Sequence, residues 1–268
     1  MGFWTHEHLL TVPATFVALL ALSLVMRMLL IKKPHNVRMI PIKVIAVILI
    51  LIEIGKQIVS ATRGYNLYHI PLHFCSIFLY AIPLFAFYRG KWQESVRALT
   101  ASAMTALLIG MLIIPNVIYS GNRITEFFSD YLSFHTVFFH NLVIFALFLT
   151  VALDLHKPSG GGELIFVILC GTGFVAVAAS ASHILNTNYS NFLQSTVSVV
   201  KTLTENMRLA IGDVPTKIIY TATLAILHVL LLIVTYYIFM AICIVKEKAH
   251  HAIRMRMERK KNKKLRLN

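Results

Sequence analysis

Charge is scarce in this sequence. Only 13% of its residues are charged, against about a quarter in soluble domains, while 57% are apolar, so the chain is not a soluble enzyme domain. Acidic residues are the rarer sign: 11 stand against 25 lysines and arginines, for a formal charge of +14. The three cysteines, Cys75, Cys170 and Cys243, form no C-x-x-C, and none falls in an expected outer loop. That excludes a disulfide framework and a redox motif, and the histidine spacings match no zinc site. No metal and no cofactor is expected. The first apolar run follows Glu7 and two histidines, not a basic stretch, and is long enough to span a bilayer. It therefore reads as a first membrane span, not a cleavable signal peptide. Internal repeats and soluble domains are also lacking.

Long apolar blocks are what the sequence does have. Seven runs can be drawn, at 9–31, 39–60, 68–88, 96–119, 132–155, 163–185 and 217–245, separated by short polar segments such as Lys32-Lys33-Pro34-His35-Asn36. The expected fold is all-α, a polytopic bundle of seven transmembrane helices in the cell (plasma) membrane, with a membrane domain over 1–245 and a basic tail over 246–268. Counted from an external N-terminus, the inner segments hold Lys32, Lys33, Arg38, Arg89, Lys91, Arg97, Lys157 and the tail. The outer segments hold only Arg63, Arg123, Lys201, Arg208 and Lys217. This asymmetry favours N-out, C-in. The tail, without aromatic interleaving, suits anionic lipid headgroups and not nucleic acid; membrane lipids are the expected partners.

Several polar residues interrupt these runs, where an ionisable side chain at mid-bilayer costs roughly 2.5 kcal/mol or more and so marks a candidate site. With about 1.5 Å of rise per residue, Glu53, Cys75 and His140 fall at one level, roughly 10–12 Å below the outer surface, with His183 closer to it. Local readings compete: Glu53 can be satisfied within its own helix by Lys56 and Gln57 at i+3 and i+4, and His228 by a neighbouring carbonyl. Proline at 71 is expected to open the third span, with His73 and Cys75 in its first turns. On a regular helix those two point about 200° apart, so a base for Cys75 must come from another span, and His140 stands at the matching depth.

Three motifs carry a resemblance. Glu7-His8-Leu9-Leu10 opens the first run, Ile70-Pro71-Leu72-His73-Phe74-Cys75 the third, and Phe138-Phe139-His140-Asn141 lies in the fifth; Asn186-Thr187-Asn188-Tyr189 follows the sixth. In this order they resemble the YwaF-like bacterial integral membrane proteins, which are distantly similar to vertebrate transmembrane protein 164. The vertebrate relative is described as a lipid acyltransferase using a cysteine and a histidine. The resemblance therefore implies a catalytic histidine at His140. Its cysteine position holds Leu72 here, and Cys75 lies one helical turn further on.

Between the sixth and seventh runs, Leu193, Val197, Val200, Leu203, Met207 and Ile211 recur at helical spacing, as in an amphipathic interfacial helix able to cover an outward cavity. Two functions fit. In one, Cys75 attacks a lipid ester, His140 takes its proton, and Asn141, Asn186 or Asn188 stabilises the oxyanion, with Glu53, His73, His183 and Tyr189 lining the ligand site. In the other, a carrier or receptor uses Glu53, Lys56 and the histidines to hold a polar or amphiphilic solute without catalysis. The absence of inverted repeats counts against a carrier.

Overall fold

A computed structural model describes Trp4 and residues 6–265 of the chain. Every regular element among them is helical: α1 His6–Leu30, α2 His35–Arg38, α3 Ile40–Thr62, α4 Ile77–Phe87, α5 Gln93–Ile113, α6 Gly121–Thr125, α7 Tyr131–Ala152, α8 Gly161–Ile184, α9 Ser198–Ile211 and α10 Asp213–Leu265. Five described helices, in α1, α5, α7, α8 and α10, are long and apolar enough to cross a membrane, so the chain is a multi-pass membrane protein.

The helix at the centre is α5, packed against α4, α7, α8 and α10. Its sequence explains the position. Ala98, Ala101, Ser102, Ala103, Thr105 and Ala106 are all buried, and small side chains let helix backbones approach closely where lipid supplies no hydrophobic drive. The hydroxyls of Thr100, Ser102 and Thr105 donate to carbonyls one turn back, at 2.7, 2.7 and 2.8 Å, so none is left unpaired. Arg97 is buried, paired with Glu94 at 2.6 Å and set over the Phe85 ring. The helix stops at Ile113 because Pro115 pushes Ile114 out of the helical region, and a 3-10 turn follows. A second group forms around α7, which packs on α1, α3 and α5.

The third run departs from the expected regular helix. Only α4 is α-helical there, and its 11 residues reach roughly 16 Å, about half of a hydrocarbon core. Ahead of it lie an irregular strip and two 3-10 turns, Leu67–His69 and Phe74–Ser76. Asn66 caps the first by accepting from Tyr68 N at 2.9 Å, and Pro71 has no N–H to continue it. His73 has extended backbone, φ −69° and ψ 153°. The 200° separation expected of His73 and Cys75 therefore does not apply.

At the opposite end of the bundle, basic side chains from three helices meet the C-terminus of α7. Arg27 donates to Ala152 O, Lys246 to Val151 O, and Arg38 to Leu153 O at 2.6 Å, matching cations to the negative end of the helix dipole. Asp154, in the turn that follows, pairs with both Arg27 and Lys246. Burial pushes its carboxyl up, but the two cations outweigh this and hold it below its usual range. The basic segment from Lys246 continues α10 without a break to Leu265; residues 266–268 lie outside the described ones.

Candidate functional site

Because α4 is short, the strip over 65–76 takes the place of regular helix ahead of it and, with α3 and α7, walls a cavity of about 220 Å³. In a membrane, irregular backbone is tolerated where it is buried in protein or lines a cavity, which is its situation here. The third-run strip contributes Tyr68, His69, His73 and Cys75; α3 contributes Glu53 and Lys56; α7 contributes His135, Thr136, Phe139 and His140. Arg123, from the connection between α5 and α7, stands on the same wall as Val117 and Ile118.

Glu53 is buried and joins two of these walls. One oxygen meets Lys56 Nζ and Gln57 Nε2, each at 2.7 Å, so the local pairing expected within α3 is present. The other oxygen accepts from His135 Nε2 on α7 at 3.0 Å, which makes Glu53 a cross-bundle residue as well. The two helices approach closely here: a Cβ on Gly55 would lie 2.0 Å from the Tyr131 hydroxyl, which donates to Ile52 O at 2.9 Å. Gln57 extends the network by donating to His69 O at 2.9 Å and accepting from Tyr65 at 2.6 Å.

The histidines divide by what their ring nitrogens do. His140 Nδ1 donates to Thr136 O at 2.6 Å, since a carbonyl can only accept. This fixes the tautomer and leaves the Nε2 lone pair uncommitted among the described contacts. His73 has both nitrogens engaged: Nε2 donates to Tyr68 O at 3.1 Å, and Nδ1 accepts from Ser190 N at 3.4 Å. His73 is thus a brace for the strip. Cys75 lines the cavity and also packs against the main apolar core.

Tyr189 and Ser190 hold this strip from behind. The fully buried Tyr189 donates to Leu67 O at 2.6 Å and lies edge-on to His73, and Ser190 Oγ accepts from Phe74 N at 2.6 Å. The other expected site residues lie elsewhere. Asn141 accepts from Tyr119; Asn186 occupies a left-handed turn after α8; Asn188 bonds within its own loop to Leu193 and Gln194. His183 faces Thr221 on α10 at 2.9 Å, beside a separate groove. The amphipathic helix expected between the sixth and seventh runs forms as α9, but no residue over 186–216 lines the cavity, and α9 packs beside α10.

The sequence reading passed over His135, Tyr68, His69 and Arg123. His135 had one available signal, since it sits inside the fifth apolar run five residues before His140. Its importance depends on the close approach at Gly55, which no periodicity reports. Among the described residues, no group of three or more histidine, cysteine or acidic side chains is arranged to hold a metal ion.

No curated protein and no solved structure matches the chain. A family match covers most of its length, residues 3–240, and takes in every side chain of the cavity: the chain belongs to the TMEM164 family.

Proposed function

We propose that this TMEM164-family protein is a lipid acyltransferase or acyl hydrolase of the cell membrane, with Cys75 as nucleophile and His140 as base. The observation that carries the reading is that Cys75 and His140 line one cavity while Thr136 holds His140 in the tautomer whose Nε2 can accept a proton. In the first half-reaction the Cys75 sulfur bonds to the ester carbonyl carbon as the ester C–O bond breaks. His140 takes the thiol proton and passes it to the leaving alkoxide. In the second, water or an acceptor alcohol attacks the thioester, gives its proton to His140, and the thiol is restored. Lys56, Tyr68 and Arg123 line the same cavity and are positioned to stabilise the oxyanion, the role first given to Asn141, Asn186 or Asn188.

The proposal includes seven spans, with α3 and the composite of the 65–76 strip and α4 joining the five long helices, an external N-terminus, and kinship with the bacterial YwaF-like group on the strength of its motif order. A second reading has its own support. Glu53 and His135, tied to Lys56 in the cavity, form a polar group whose carboxylate and imidazole the acyl-transfer chemistry does not use. A receptor or carrier would use that group to hold a polar headgroup.

The test is acylation of the purified protein in phospholipid nanodiscs, read by mass spectrometry. A hydroxylamine-sensitive acyl adduct on Cys75 is expected, with Cys170 and Cys243 unmodified. His140→Ala should slow adduct formation by roughly 100-fold or more. Lipid binding without any Cys75 adduct, lost in Glu53→Gln and unchanged in Cys75→Ala, would establish the receptor reading instead.

A further inference from the structure

At the end of the bundle away from Cys75, two cavities meet. One is a groove of about 330 Å³ between α1, α5, α7 and α10, walled by Leu20, Leu24, Leu108, Leu147, Phe148 and Ile242. The other, of about 300 Å³, is polar and holds Asp154, His156, Lys157 and Glu247. They share Val151, Lys246 and His250, and Arg27 stands in the groove within 3.1 Å of His250. A chain-like apolar slot thus opens directly into a polar chamber, the division an amphiphile requires.

The charge at the junction is uneven. Lys157 is matched by Glu247, whereas Arg27 and Lys246 share the single carboxylate of Asp154 and otherwise meet main-chain carbonyls at the end of α7 and, for Arg27, the His250 ring. Two cations against one carboxylate leave a net positive charge beside the mouth of the groove, offset only in part by the α7 dipole. Phosphate suits it, because guanidinium and ammonium donors both bind phosphate oxygens strongly. A headgroup with its own cation would instead face Arg27, Lys157 and Lys246. The groove is also open on the lipid side, where Leu20 and Leu24 are exposed on α1.

We propose that these joined cavities bind an anionic phospholipid, with one acyl chain in the groove and the phosphate against Arg27 and Lys246. The site shares no residue with the Cys75 cavity and stands whether or not the protein is an enzyme. Its occupant fastens α1 to α10, adding to the direct contact of Arg27 with His250 and to the links both make through the end of α7.

The experiment uses the full chain in nanodiscs of equal phosphatidylglycerol and phosphatidylcholine with matched chains, followed by native mass spectrometry of the released protein. Phosphatidylglycerol should be retained roughly fivefold over phosphatidylcholine, the effect of one excess cation. Photoreactive phosphatidylglycerol, with its diazirine on the acyl chain, should cross-link to peptides containing Leu24, Phe148 or Ile242. The double variant Arg27→Gln with Lys246→Gln should abolish the preference. Because both cations also cap α7, Leu24→Trp supplies a second test that leaves them in place: it fills the open side of the groove and should sharply reduce cross-linking with the helical content unchanged. Equal retention of the two lipids, a preference that survives the double variant, or cross-linking indifferent to Leu24→Trp would overturn the proposal. So would full competition by free glycerol phosphate, which would make the chamber an anion site without the groove.

Discussion

Glu53 is the residue at which the two walls of the cavity are tied together, and its partners set the outcome of replacing it. Glu53→Gln keeps the size and one carbonyl acceptor but leaves Lys56, itself largely buried, without its counter-charge. Removing one partner of a buried pair is the expensive change, about 3 kcal/mol, whereas replacing both by apolar groups is often neutral. The thermal midpoint of Glu53→Gln should therefore fall, and Glu53→Gln combined with Lys56→Met should recover part of the loss. Equal midpoints for the single and double variants would mean that the loss does not come from leaving Lys56 unpaired. Glu53 itself was legible in the sequence, because a carboxylate inside an apolar run needs a reason. His135 was not, because a histidine near the end of a span has many ordinary roles and its partner is set by packing.

The element that shapes the site is the third run, and there the sequence misled for a physical reason. Hydropathy reports how apolar a segment is, and 68–88 is apolar throughout. It does not report that Pro71 and the Asn66 cap divide the segment into 3-10 turns and a short α4. The strip then needs support from elsewhere, which Tyr189 and Ser190 supply from a loop read beforehand as part of a ligand site. The contact of α3 with α7 is tested at Gly55. Gly55→Ala places a methyl against the Tyr131 hydroxyl, so the ring must swing aside and lose its bond to Ile52 O, at a cost of about 1 kcal/mol. Lipid binding in the cavity should fall only if the displaced ring also loosens the Glu53–His135 bond that spans the same gap.

The N-terminus of α7 gives a pH-dependent counterpart. Asp130 caps α7 by accepting from Ser133 N at 2.9 Å and pairs with Arg63 at 2.8 Å. The bond from Arg63 holds its carboxyl below the usual value of 3.8. A depressed folded-state pKa contributes stability that is present above 3.8 and is lost as pH falls through the lower folded value. Asp130→Ala should lower stability by about 1 kcal/mol at neutral pH, the worth of a helix cap, and should reduce the further loss below pH 3.8. Denaturation of the detergent-solubilised protein at pH 7 and pH 3 measures both effects. Asp130→Asn, which keeps the cap but not the charge, should show mainly the second.

For the whole molecule, the distribution of basic residues supports the proposed orientation. The helices alternate so that the ends of α1 and α7, the starts of α3, α5 and α8 and the second half of α10 gather at one end, while the Glu53 cavity lies toward the other. Lys32, Lys33, Arg38, Arg89, Lys91, Arg97, Lys157 and Lys246 all belong to the first end. The length of α10 adds an independent reason. Its 53 residues extend for roughly 80 Å, far more than a hydrocarbon core of about 30 Å, so its basic second half projects beyond the membrane on that same side. Carrying so many lysines and arginines outward is strongly disfavoured, so the proposed topology puts this end in the cytoplasm, the N-terminus outside, and the Cys75 cavity toward the outer leaflet. In a chain with its three native cysteines replaced by alanine, Gly2→Cys should react with a membrane-impermeant maleimide on intact cells. Lys260→Cys should react only after permeabilisation. Labelling of both positions from outside would refute the alternation of spans, and labelling of position 260 alone would invert the molecule, placing the Cys75 cavity on the inner leaflet.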